Sequence, residues 1–252
     1  MENFRVFTYG KYNLACRLYL AQSPKDVPAR GCVILFFGGG WIGGTPAQLH
    51  NQAIALAAEG WDVALPTYRI CTPENKLTPF DCYYDTREVI RALTEGLSGF
   101  QADPRRIVLG GASAGGHLAL CNAILNETIH PAALVLLNPV VDTTETGYRK
   151  GTLRFDGHAE ELSPYHLLKK ALPPTLLLHG EADTIVPAQN IRDFAEKAQR
   201  FGTNLKLKFY PGRGHGFCNH PSFRKDCLYE DYKSVIEEIV CFLNNNEIWF
   251  DK

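Results

Sequence analysis

No stretch of this chain approaches the ~20 consecutive apolar residues that a membrane-spanning helix needs. The longest apolar runs, CVILFF (32–37) and AALVLL (132–137), have the length of strands. The opening MENFRVFTYG lacks an apolar run of signal-peptide length and a basic segment ahead of one, so a cytoplasmic protein is expected. Charge of one sign is also missing. The 26 Lys and Arg against 27 Asp and Glu leave a formal net charge of -1, and no basic or acidic tract breaks the balance. Nucleic acid and membrane surfaces are therefore poor partners, and a small uncharged or weakly charged substrate fits. The eight cysteines form no CxxC pair, so zinc and thioredoxin-like chemistry have no support. Several of them lie in apolar segments, where cysteine acts as a small buried hydrophobe, and free thiols are expected. Internal repeats and low-complexity segments are absent as well.

What remains is a chain of 252 residues with 45% hydrophobic content, enough for one large domain spanning 1–252 with a full core. Short β-rich runs alternate with longer amphipathic stretches, the order of βαβ units around a mostly parallel sheet. The expected fold class is α/β, with about eight strands flanked by helices. FRVFTY (4–9) and LACRLYL (14–20) read as a hairpin through Gly10. Further strands are predicted at 32–37, 61–68, 106–111, 132–139, 175–180 and 205–210. Helices are predicted at 45–59, 80–97, from about Ser113 to Asn126, at 187–201 and near 228–245. Residues 141–172 lack sustained periodicity and read as an excursion over the top of the sheet that could hold one short helix, a kind of loop that often shapes a pocket.

Four motifs carry chemistry. Gly111-Ala112-Ser113-Ala114-Gly115 matches G-x-S-x-G and lies between a strand and a helix pattern. A sharp turn there exposes a serine hydroxyl, and small neighbours let the backbone pass closely. Phe37-Gly38-Gly39-Gly40-Trp41 follows a buried strand. Its consecutive glycines expose amides that, with the amide of Ala114, can hold an oxyanion. Gly39, Gly40 and Ala114 are the candidates, with Gly38 as alternate. Asp183, in the strand-end loop HGEADTIVP (179–187), is the candidate acid, with Asp142 as runner-up. Asp193 falls within a helix pattern. His215, in GRGHGF (212–217), completes the order Ser, Asp, His. The reading makes Ser113 the nucleophile, His215 the base and Asp183 its orienting acid. Trp41, Ile42 and the 141–172 segment would line the substrate pocket. No metal or organic cofactor is required.

Together these residues resemble the α/β-hydrolase superfamily, and more narrowly its small esterase branch, which includes hormone-sensitive-lipase-like enzymes and bacterial carbohydrate esterases. TYR (67–69) and SPYHLLKK (163–170) also look like this branch. The branch usually has H-G-G-G or H-G-G-x-W, and Phe37 stands where that histidine would be, so it holds the loop by packing or not at all. The long N-terminal cap of hormone-sensitive-lipase-like members is missing, which implies an open or lightly covered site. The resemblance implies a serine esterase acting on short-chain acyl esters, acetyl above all, with acetylated carbohydrates as candidate substrates. An arylformamidase-type amidase, a small serine peptidase and a catalytically inactive ligand binder on the same fold are the alternatives.

Overall fold

The computed structural model describes residues 4–23, 29–148 and 154–245. Its frame is an eight-stranded sheet: β1 (Arg5–Tyr9), β2 (Leu14–Tyr19), β3 (Cys32–Phe36), β4 (Asp62–Pro66), β5 (Ile107–Ala112), β6 (Ala133–Leu137), β7 (Thr175–Gly180) and β8 (Leu205–Tyr210). Spatial order is β1-β2-β4-β3-β5-β6-β7-β8. β2 is antiparallel to both its neighbours, and every other pairing is parallel. The expected α/β class and mostly parallel sheet are what is found.

Central strands are apolar throughout because both faces are covered. In β3, Cys32, Ile34 and Phe36 enter one core cluster, while Val33 and Leu35 enter the other. Helices α1 (His50–Ala58) and α6 (Tyr229–Asn245) cover the Val33 face. Helices α2 (Pro79–Glu95), α3 (Ala114–Leu125) and α5 (Ala188–Arg200) cover the opposite one.

Local chemistry sets the element ends. α2 opens with Pro79 and a capping box in which Asp81 Oδ2 accepts the Thr78 amide at 3.0 Å. It stops at Glu95, short of the expected 97, because Gly96 turns the chain at φ 113°. The helix expected over 45–59 divides into a 3-10 turn, Pro46–Leu49, and α1. Within 141–172, the described residues hold a 3-10 turn, Ala159–Leu162, and the short helix α4 (Pro164–Leu167). Phe155, Leu162 and Leu168 root this segment in the core.

The topology also locates the site. From β3 the chain goes to β4 on one side, then crosses to β5 on the other. In such sheets the loops leaving the carboxyl ends of the two strands part at this reversal and leave a crevice. The glycine run follows β3, and Ser113 follows β5.

Candidate active site

Ser113 sits between β5 and α3 with φ 53° and ψ -116°, a backbone conformation L residues rarely adopt. The turn is held from both sides. The Ser113 amide donates to the Leu137 carbonyl at 2.9 Å, and the Ser113 carbonyl accepts the His117 amide at 3.0 Å. Such a tight passage needs glycine. A Cβ on Gly115 would overlap the Phe36 carbonyl oxygen.

The His215 ring bridges Ser113 and Asp183. Its Nδ1 lies 2.6 Å from Asp183 Oδ2 and its Nε2 lies 2.9 Å from Ser113 Oγ. A carboxylate only accepts, so Nδ1 carries the proton and Nε2 is left to accept the serine hydroxyl. The Asp183 side chain is 0% exposed and that of His215 is 18% exposed, so the acid is dry while the base faces the cavity. Burial pushes the Asp183 carboxyl up. The His215 hydrogen bond and charge, with the Val186 and Ile185 amides at 2.9 and 2.8 Å, outweigh burial and hold it below the usual range. Behind it, burial lowers the His179 imidazole, partly opposed by Asp183. His179 Nε2 lies 3.0 Å from the Val186 carbonyl, bracing the acid loop.

The glycine loop is anchored at three points. Phe37 stacks on Tyr68 with ring centroids 4.1 Å apart and planes within 7°, and the Tyr68 hydroxyl donates to the Phe37 carbonyl at 2.6 Å. Packing thus occupies the place the family gives to histidine. The Gly38 amide donates to Gln48 Oε1 at 2.6 Å, so it is engaged, and Gly38 as an alternate oxyanion donor is set aside. Gly39 has φ 134°, and a Cβ there would overlap the Gly43 carbonyl oxygen. The amides of Gly39, Gly40 and Ala114 have no acceptor among the described residues.

Two sequence expectations need correction. Trp41 does not line the cavity. Its φ of 63° turns the indole inward, where it is fully buried against His117 at 5.0 Å and Phe155 at 5.2 Å. Ile42, 48% exposed, does line it. Asp142, the runner-up acid, is buried but turned to its own loop. Its Oδ1 accepts the Thr144 amide and hydroxyl at 2.9 and 2.7 Å and the Ser163 hydroxyl at 3.2 Å. Asp193 accepts from Gln189 on the surface of α5.

The cavity above Ser113 has a volume of about 440 Å³. Sequence reasoning missed several of its residues. Asn138, after β6, places Nδ2 3.4 Å from His215 Nε2, while its Oδ1 accepts the Cys218 thiol at 3.1 Å. Ile185, Phe223 and Arg224 also line the space, as do Tyr148 and Arg154, which lie in the 141–172 segment expected to shape the pocket. Of these, Ile185 alone lies in one of the four motifs, HGEADTIVP (179–187). Only the fold brings them together. Among the described residues, no cluster of three His, Cys, Asp or Glu could hold a metal ion, and no helix is long and apolar enough to cross a membrane.

Residues 33–219 match the protein family described as the alpha/beta hydrolase fold. Esterase LipC of Mycobacterium tuberculosis is 28% identical over 77% of this chain and 55% of its own length. The isoprenylcysteine alpha-carbonyl methylesterase ICME of Arabidopsis thaliana is 28% identical over 87% of this chain and 58% of its own. The chain therefore spans little more than half the length of these curated relatives. Among solved structures, a thermophilic esterase, Est2, from Thermogutta terrifontis superposes with a TM-score of 0.84 at 31% identity, covering 99% of this chain and 97% of that one. With the family match spanning most of its length, the chain belongs to the alpha/beta hydrolase fold family.

Proposed function

We propose that this protein is a serine carboxylic-ester hydrolase acting on short-chain acyl esters, acetyl among them, through an acyl-enzyme intermediate. The observation that carries the reading is the hydrogen-bonded relay Asp183–His215–Ser113, at 2.6 and 2.9 Å, on the wall of an accessible cavity. Ser113 Oγ attacks the ester carbonyl carbon as its proton passes to His215 Nε2. Asp183 stabilises the imidazolium through Nδ1. The Gly39, Gly40 and Ala114 amides hold the oxyanion of the tetrahedral intermediate. Collapse breaks the bond to the alkoxide, which takes the proton from Nε2 and leaves as alcohol. Water then gives a proton to Nε2 as its oxygen attacks the acyl carbon, and the second tetrahedral intermediate collapses by breaking the bond to Ser113 Oγ, which takes that proton back from Nε2 as the acid leaves.

Relatives support the chemistry. Thermogutta terrifontis esterase 2 has been solved phosphonylated by sarin and phosphorylated by paraoxon, reagents that modify serine nucleophiles. Est2 has also been solved with propionate and with butyrate bound, which favours a short acyl group here. Acetylated sugars remain the candidate alcohol-side substrates. The eight free thiols favour a reducing compartment, the cytoplasm, which cell fractionation tests.

The test is a 4-nitrophenyl ester series from acetate to decanoate, with aryl formamides and aminoacyl amides beside it. Acetate to butyrate should be cleaved best, and Ser113→Ala should lose at least about a thousandfold in kcat. Undiminished hydrolysis by that variant, or a preference for chains of eight carbons or more, contradicts the reading. Faster cleavage of formamides than esters would make it an amidase.

A further inference from the structure

The chain as a whole is nearly neutral, but its catalytic cavity is not. Two arginines, Arg154 and Arg224, line the space around Ser113, and no carboxylate does among the described residues. A cleft lined by one sign of charge concentrates ligands of the other.

The two arginines differ. Arg224 is already paired. Its Nε and Nη2 reach Asp226 at 2.8 and 2.9 Å, and its Nη1 donates to the His215 carbonyl at 3.3 Å. Arg154 is half-buried and makes no ion pair with any described residue. Its Nη1 donates to the Gly40 carbonyl at 2.7 Å. That bond uses one of five N–H donors. A neutral amide could make it equally well. Holding a cation partly out of water without a counter-charge is costly, and an anionic ligand would remove that cost. Arg154 reaches the chain at Gly40, one of the residues assigned to the oxyanion, so a group bound to it lies beside the reacting carbonyl. Tyr148, also lining the cavity, adds a hydroxyl near Gly40.

We propose that Arg154 forms a subsite for a carboxylate, so that the preferred ester carries a negative charge on one of its halves. The substrate class is thereby narrowed to a hemiester of a short diacid or a short-chain ester of a hydroxy acid. This inference rests on the serine-esterase reading for the identity of the ligand as an ester, but not for the anion site itself.

Two substrate pairs test it. On the acyl side, 4-nitrophenyl hydrogen glutarate is set against 4-nitrophenyl pentanoate. On the alcohol side, 3-acetoxybenzoate is set against phenyl acetate. The charged-to-neutral ratio of kcat/KM is measured in wild type, Arg154→Met and Arg154→Gln. Intrinsic reactivity cancels when the ratios are compared between proteins. In one pair the ratio should fall about tenfold or more in both variants, as for loss of a charged hydrogen bond. The affected pair identifies the half that carries the charge. Loss of the bond to the Gly40 carbonyl lowers both members of a pair alike, so the neutral esters report that contribution and the ratio removes it. An equal loss on all four esters, or unchanged ratios, overturns the proposal and leaves Arg154 as a prop for the loop.

Binding is read separately in Ser113→Ala, as the rise in Tm with glutarate or benzoate over sodium chloride of equal ionic strength. The rise should vanish when Arg154→Gln is added. If no ester is cleaved but the Arg154-dependent rise persists, the esterase reading fails and the anion site stands. If esters are cleaved without charge preference, the anion site fails alone. If neither effect is seen, both fail.

Discussion

Two loops leave neighbouring strands of the sheet, and each carries a buried aspartate. Asp142 follows β6 and Asp183 follows β7, and each is 6% exposed. Both accept backbone amides two residues further along the chain, from Thr144 and from Ile185. They differ in what fills the remaining lone pairs. Asp142 takes the Thr144, Thr146 and Ser163 hydroxyls, which tie the 141–172 segment to itself. Asp183 keeps Oδ2 for the His215 ring at 2.6 Å. A buried carboxylate at a strand end is thus not a site in itself. Its role follows from whether one oxygen is left over for a group that changes protonation during a reaction.

The comparison is broken most sharply by asparagine at each position. Asp183→Asn should lose about 10⁴-fold in kcat on a short ester, because the amide favours the wrong imidazole tautomer. Asp142→Asn should stay within a few-fold of wild type in kcat while lowering stability by about 1–3 kcal/mol, as a hydroxyl loses its charged acceptor. Steady-state kinetics and urea melts on the same preparations read both. Equal kinetic losses would erase the distinction.

A buried histidine sharpens the contrast next. His117, beneath Trp41, has Nε2 2.7 Å from the Leu162 carbonyl and an Nδ1 with no partner among the described residues. Burial lowers it from 6.5 to about 4, partly opposed by the Leu162 bond. The folded protein keeps this ring neutral while the unfolded chain takes up a proton near pH 6.5. Its stability contribution is therefore complete above pH 6.5 and falls as pH drops toward 4, by up to roughly 3 kcal/mol. Urea melts between pH 7 and 4 should show this slope, and His117→Asn should flatten it. An unchanged slope in the variant would assign the acid sensitivity elsewhere. The smallest expected effect is at Gln48, whose Oε1 holds the Gly38 amide. Gln48→Ala should slow kcat by about tenfold with little change in KM, since it loosens donors used in the transition state. A change confined to KM would instead place Gln48 in ground-state binding.

Much of the fold was legible because each central strand is a short apolar run, as in CVILFF, and connections such as those carrying α2 and α5 hold amphipathic helices, whereas the β6-to-β7 connection over 141–172 lacks one among its described residues. Ser113, Asp183 and His215 stood out because each lies in a glycine-rich or strand-end loop of recognisable form. The neighbours did not. Asn138 lies at the end of a predicted strand, Gln48 lies in a predicted helix and Arg154 lies in the 141–172 segment, but no motif marks any of the three individually, and only the strand order brings them to the same crevice. Trp41 was misjudged for a local reason. Next to three glycines it reads as a pocket wall, but its left-handed backbone turns the indole into the core. Phe37 shows the reverse, since its stack on Tyr68 supplies the packing that the missing histidine required.

The central claim is that Ser113 is an activated nucleophile. Reaction with a fluorophosphonate, followed by peptide mass mapping, tests it most directly. A single adduct on the peptide containing Ser113, absent in Ser113→Ala and slowed in His215→Ala, is the predicted result. Folded wild-type protein that stays unlabelled, or carries the label equally well without Ser113, would contradict it.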